Sequence, residues 1–192
     1  MKAILLAIRP EWLAKILNGE KTIEVRKKFP KDYVGWVYIY CTKEDDLGCI
    51  KKIAKDKYVC GKDFDISDFN YLASGYNGKG KVVARFWCDK VEEIKPIKNE
   101  YIIYRYEFSI AEQVLSKKSC LSHNQIDAYL KGKNGFAIHI FIVEIFDKPK
   151  ELNEFHTVNK YGIPQYQFGN GTCDYKKLTK APQNYCYIEE EK

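Results

Sequence analysis

Closely spaced cysteines are missing from this chain of 192 residues. Its seven cysteines are an odd number, and Cys41, Cys49, Cys60, Cys88, Cys120, Cys173 and Cys186 are scattered with no C-x-x-C pair among them. That spacing excludes the usual ligand pairs of a structural zinc site. The thiols read as reduced, several simply buried, and neither a metal nor another cofactor is expected. Long apolar runs are missing too, so no stretch is long enough to span a bilayer. Residues 1–8 imitate the start of a signal peptide, but Arg9, Pro10 and Glu11 interrupt the apolar run at once and no cleavage site follows. The expectation is a cytoplasmic protein without a membrane partner. Internal repeats and low-complexity segments are also lacking, which excludes solenoids and disordered tails.

What is present is ordinary in bulk and rich in rings. Hydrophobic residues make up 45% and charged residues 30%, the balance of a globular protein. The length fits a single domain over 1–192. A formal charge of +6 is a mild bias toward anionic partners. The 15 Tyr, 10 Phe and 3 Trp suit both a β-rich core and base stacking.

The densest chemistry lies between Gly19 and Arg26. Pro10 and Glu11 open a helix whose apolar stripe is Trp12, Leu13, Ile16 and Leu17, and Asn18-Gly19 stops it. A strand follows. Period-two alternation puts Ile23 and Val25 on one face and Thr22, Glu24 and Arg26 on the other, expected to be wet. Lys21 stands at the strand entrance, where it can reach over that face. Lys27, Lys28 and Lys31 flank Phe29-Pro30 and form a basic loop at the strand exit.

Further strands are expected over Ala3–Ile8, Gly35–Cys41, Lys81–Val91, Phe136–Phe146 (ended by Pro149) and Tyr185–Glu189. In the third of these, Arg85 should share a face with Val83, Trp87 and Asp89. Capping-box patterns at Ser109–Glu112 and Ser122–Gln125 predict helices near 110–117 and 123–131, the second ended by Gly132. The stretch 42–79 is polar and glycine-punctuated, and reads as an insertion carrying one short helix. His139 sits among apolar neighbours, Ala137 and Phe141, and reads as a core histidine or a pocket residue. Residues 153–181 show little periodicity, with an exposed turn at Gly169-Asn170-Gly171. The whole is α+β with a barrel or strongly curled sheet, its last strand pairing far back in the chain.

Gly19, Lys21, Glu24 and Arg26 match G-x-K-x-x-E-x-R, and the chain thereby resembles the ASCH domains, small β-barrel relatives of PUA domains. Arg9-Pro10-Glu11-Trp12, residues 80–84, 129–133, 135–140 and 181–188 resemble further blocks of an ASCH subgroup common in phage and prophage genomes. The resemblance implies a PUA-like curled β-barrel with flanking short helices. It also implies RNA or nucleotide binding, including a modified base, through a cleft lined by Lys21, Glu24, Arg26, Trp12 and His139. In the branch that removes the acetyl group of N4-acetylcytidine, a lysine matches Lys21 and a threonine stands where this chain has Glu24. A later glutamate completes that set, with Glu107 and Glu112 as candidates here. A hydrolase of RNA or of a modified nucleoside, with Lys21 as base and Glu24 as acid, is the alternative reading. A protein-interaction module is the second alternative. The oligomeric state is left open.

Overall fold

The computed structural model describes residues 2–43, 51–54, 57–59, 78–97, 100–105, 108–110, 112–169 and 172–190. Two five-stranded sheets organise them. The first is built from β1 (Lys2–Ile8), β3 (Gly35–Cys41), β6 (Val82–Cys88), β11 (Ile142–Lys150) and β14 (Tyr185–Glu189), in the order β11-β6-β3-β1-β14. β1 is an interior strand, parallel to β3 and antiparallel to β14. Its Ala3, Ile4, Leu5 and Leu6 are fully buried on both faces, which is why it reads as a continuous apolar run. The final strand thus does pair with the first.

The second sheet contains β2 (Ile23–Arg26), β7 (Val91–Ile97), β8 (Glu100–Arg105), β9 (Phe108–Ile110) and β10 (Gly135–His139), in the order β2-β10-β7-β8-β9. Each sheet keeps two edge strands, so the described residues form no closed barrel. Between β2 and β1 the link is a side chain, Arg26 Nη2 donating to the Ala7 carbonyl at 2.7 Å, rather than a backbone ladder.

Two long strands expected from periodicity are each divided between the sheets. The run 81–91 breaks at Asp89-Lys90 into β6 and β7, and the run 136–146 breaks at Ile140-Phe141 into β10 and β11. The amides turn with the chain: Ile140 N donates to Thr22 O, Phe141 N to Trp87 O and His139 N to Lys90 O, at 3.0, 3.0 and 2.9 Å. Apolar residues on both sides of these breaks hide them from a pattern reading. Pro149 does not end β11. It lies within an edge strand where the register to β6 shifts, a place that tolerates a missing amide donor. Arg85 shares its face with Trp87 but not with Val83, because a register shift opposite Ile39/Tyr40 sends both Val83 and Ala84 into the inner core.

The main core fills the space between the sheets with Ile4, Leu6, Ile8, Val37, Ile39, Phe86 and Ile138, together with Leu13, Ile16 and Leu17 of α1 (Pro10–Leu17). Helices α2 (Glu112–Ser119) and α3 (His123–Leu130) cover the other face of the second sheet, burying Leu115, Ile126 and Leu130 against Ile23, Val25, Ala137 and Ile94. The Ser122–Gln125 capping box forms as expected, with Ser122 N to Gln125 Oε1 at 2.8 Å and Gln125 N to Ser122 Oγ at 3.3 Å. The left-handed turn after α3 begins at Lys131, one residue before Gly132. The Ser109 box does not set α2, because Ser109 is paired with Tyr104 in the β8–β9 ladder and the helix starts at Glu112.

A third layer lies outside the first sheet. Phe155 and Leu178 pack there on Leu5, Tyr38, Tyr40 and Ile188. The segment holds an unanticipated hairpin, β12 (Tyr166–Gly169) and β13 (Thr172–Tyr175), and the turn residues Asn170 and Gly171 lie outside the described residues. Most of the stretch 42–79, with its expected helix, is also outside them. Its described part holds the antiparallel pair β4 (Lys51–Ala54) and β5 (Lys57–Val59). The neck is closed by Gly80 N to Cys41 O and Cys41 N to Lys81 O, at 3.0 and 2.9 Å, so the stretch leaves and re-enters the first sheet at one point.

Candidate functional site

The end of α1 sets the position of Lys21. Gly19 takes φ +76°, a conformation that costs a glycine little, and the amides of Glu20 and Lys21 both return to the Lys15 carbonyl at 2.9 and 3.0 Å. The chain is turned back so that the Lys21 side chain runs inward. Its Nζ donates to the carbonyl of Ser119 at 2.5 Å, lies 3.3 Å from Glu24 Oε2, and stands 5.5 Å from the centre of the Trp12 ring. Ser119 is the last residue of α2, so the ammonium meets one of the carbonyls that a helix leaves without a partner, at the negative end of its dipole.

Glu24 then joins Lys21 to Arg26, whose Nε lies 2.9 Å from Glu24 Oε1. That N–H is not aligned on an acceptor, so the contact is an ion pair more than a hydrogen bond. The other end of the guanidinium is fixed on Ala7. The expectation of a wet face is corrected here: the Lys21, Glu24 and Arg26 side chains are 1%, 9% and 11% exposed. Their face of β2 looks toward the core between the sheets and the opposite face is covered by α2 and α3, so both are shielded. Two cations share one carboxylate, and the row carries one more positive charge than its own acid matches. Burying such a row costs several kcal/mol per ion, by order of magnitude.

Trp12 is half-buried. It packs on the core but turns its ring face to Lys21 and, at 5.8 Å, to Lys15. The structure brings Lys21, Glu24, Arg26 and Trp12 together. It places His139 elsewhere. Glu24 is paired across the ladder with Ile138, whereas His139 is paired with Ile23, which puts the imidazole on the opposite face of the sheet. There His139 Nε2 meets Glu92 Oε2 at 2.5 Å, and Glu92 Oε1 meets Lys90 Nζ at 2.5 Å. Glu92 was not anticipated, although it shares a face of β7 with the buried Ile94, and an acid in that position is itself a signal. Lys27, Lys28 and Lys31 are exposed, and Lys27 lies 4.8 Å from the Tyr129 ring of α3. Glu107 lies outside the described residues, and Glu112 opens α2.

No protein-family model and no curated protein matches the chain. Solved structures do. A serine-to-alanine variant of an ASCH protein from Zymomonas mobilis superposes with a TM-score of 0.52 over 98% of this chain and 89% of that one. The fold is an ASCH fold. At 13% identity the likeness is one of architecture. The unsubstituted protein matches at a TM-score of 0.46 and 14% identity, over 79% of this chain and 75% of that one.

Among the described cysteines, Cys120 adjoins the Lys21 row, its Sγ donating to the Glu20 carbonyl at 3.4 Å. Burial pushes the Cys88 thiol up to about 12 and the Cys186 thiol up to about 11, so both stay protonated and inert near neutrality. The described residues hold no cluster of three or more metal-ligating side chains. No helix among them is long and apolar enough to cross a membrane. The row presents fixed N–H donors, one carboxylate acceptor and an aromatic face.

Proposed function

We propose that this chain is a single-domain ASCH protein of PUA-like architecture, from the phage and prophage subgroup, acting in the cytoplasm. It binds RNA or a nucleotide, including one with a modified base, through Lys21, Glu24 and Arg26. The observation that carries this reading is the buried row in which, among the described residues, two cations share one carboxylate. An anionic or carbonyl-bearing ligand completes such a row, and the edge of a base offers carbonyl oxygens for the cations and an exocyclic amine for Glu24. The half-exposed ring of Trp12 supplies a stacking surface beside it. The hydrolase reading is weaker. Lys21 as a base needs a free lone pair, while its nitrogen donates to Ser119 and pairs with Glu24, and Glu24 replaces the expected hydroxyl.

The test is calorimetric titration of native and Glu24→Gln protein with a panel of nucleotides and short single-stranded RNAs. Glu24→Gln should weaken binding by about 1–3 kcal/mol, since part of the acceptor becomes a donor. Unchanged affinity would remove the row from the binding surface. Turnover of N4-acetylcytidine by the native protein would reverse the order of the two readings.

A further inference from the structure

The β12–β13 hairpin turns aromatic rings to solvent for which the packing gives no reason. Tyr166, Phe168 and Tyr175 are 53%, 84% and 49% exposed. The register pairs Tyr166 with Tyr175 and Phe168 with Cys173, so all four lie on one face of the ladder. The two tyrosine rings stack with centroids 5.2 Å apart and planes at 25°, and the His156 ring adjoins Tyr175 at 5.7 Å. Lys177, paired with His156, continues that face by alternation, two residues beyond Tyr175. Asp174 pairs with Gln167 on the opposite face. It is the single acid between residues 156 and 180, against Lys160, Lys176, Lys177 and Lys180, all four exposed. That span therefore carries a formal charge of +3 (four lysines less one aspartate) out of +6 for the chain.

We propose that this face is a second nucleic-acid contact, a stacking platform for single-stranded RNA. The bases lie on Phe168 and the Tyr166–Tyr175 pair while Lys177 and the neighbouring lysines meet the phosphates. The charge decides the occupant. A hydrophobic protein partner or a second copy gains nothing from a rim this basic, whereas exposed rings flanked by lysines, with the acid turned away, match the bases and backbone of an unpaired strand. The inference rests on the reading that the ligand is a nucleic acid, but not on the Lys21 row.

The experiment compares native protein with Phe168→Ala, Lys177→Ala and Arg26→Ala, each checked by circular dichroism to be folded at the assay temperature. Fluorescence anisotropy is read with a labelled single-stranded RNA of about twelve nucleotides, longer than one OB-fold's smallest site, and calorimetry with single nucleotides. Phe168→Ala should weaken the oligonucleotide about 10-fold, the loss of one stacked base, and leave single-nucleotide binding unchanged. Lys177→Ala should flatten the salt dependence by about 0.7 in log–log slope. Oligonucleotide affinity that falls only with Arg26→Ala would overturn the platform while leaving the row intact. Loss with Phe168→Ala and none with Arg26→Ala would sustain the platform and sink the row. A native protein that binds no oligonucleotide overturns both. A dimer or vesicle binding that depends on Phe168, in place of RNA binding, overturns the platform.

Discussion

Removing Glu24 should reveal how much of the fold is held by the buried row. Glu24→Ala leaves the Lys21 ammonium and the Arg26 guanidinium facing each other with their shared anion gone. Each contact, at 3.3 and 2.9 Å, is a Coulomb attraction of about 5 kcal/mol at an effective dielectric of about 20. Part of that is returned, because the carboxylate no longer has to be desolvated. The net loss expected is about 3–5 kcal/mol, a large share of the roughly 5–15 kcal/mol that stabilises a domain. Urea melts followed by circular dichroism, with the slope held constant, read it directly. The companion is Lys21→Met combined with Glu24→Leu. Replacing a buried ion pair by apolar groups of similar volume is often neutral, so the double variant should recover most of the loss while the nucleotide affinity does not return. A drop below about 1 kcal/mol for Glu24→Ala, the range of exposed pairs, would refute the reasoning and mean that water screens the row.

Three further outcomes follow from the packing. Cys88 and Cys186 are raised by burial from an ordinary 9.0 to about 12 and about 11; a proton held more tightly in the folded state is stability fully present below pH 9. It is lost progressively as the pH climbs to about 12, and alkaline melts should show this decline, relieved by Cys88→Ala. Trp12→Ala should cost about 2 kcal/mol in a urea melt, less than the roughly 3–5 kcal/mol of a fully enclosed tryptophan, since its ring is only half-buried. Neutralising Lys28 and Lys31 should lower the salt dependence of RNA binding by about 1.4 in log–log slope with no change in melting, and an unaltered slope would make the loop a solvated edge.

The parts of the fold legible in the sequence are those whose signals are local. The Pro10 start and Gly19 stop of α1, the Ser122–Gln125 box of α3 and the apolar run of β1 each rest on residues within a few positions of one another, and each formed as read. The strand breaks were not legible, because Asp89-Lys90 and Ile140-Phe141 are set by which sheet accepts the next amide, a tertiary matter. The same holds for the candidate site. Alternation put Glu24 and Arg26 on one face of β2, and the ladder agrees, but nothing near them announced that β1 and α2 would supply Ala7 and Ser119 as acceptors. His139 illustrates the limit from the other side. Its place across from Ile23 rather than Glu24 is a register fact, and a shift of one residue would have reversed it.

The two strand breaks sit beside each other, β6 passing into β7 and β10 into β11, tied by the His139–Lys90 and Phe141–Trp87 bonds. Two neighbouring backbones thus cross from one sheet to the other as a braced pair. Neither sheet can open without pulling its neighbour's ladder apart, so the molecule should lose structure in a single concerted step. Amides of β10 and of β3, in different sheets, should then exchange their hydrogens with the same opening free energy, the signature of one foldon rather than two.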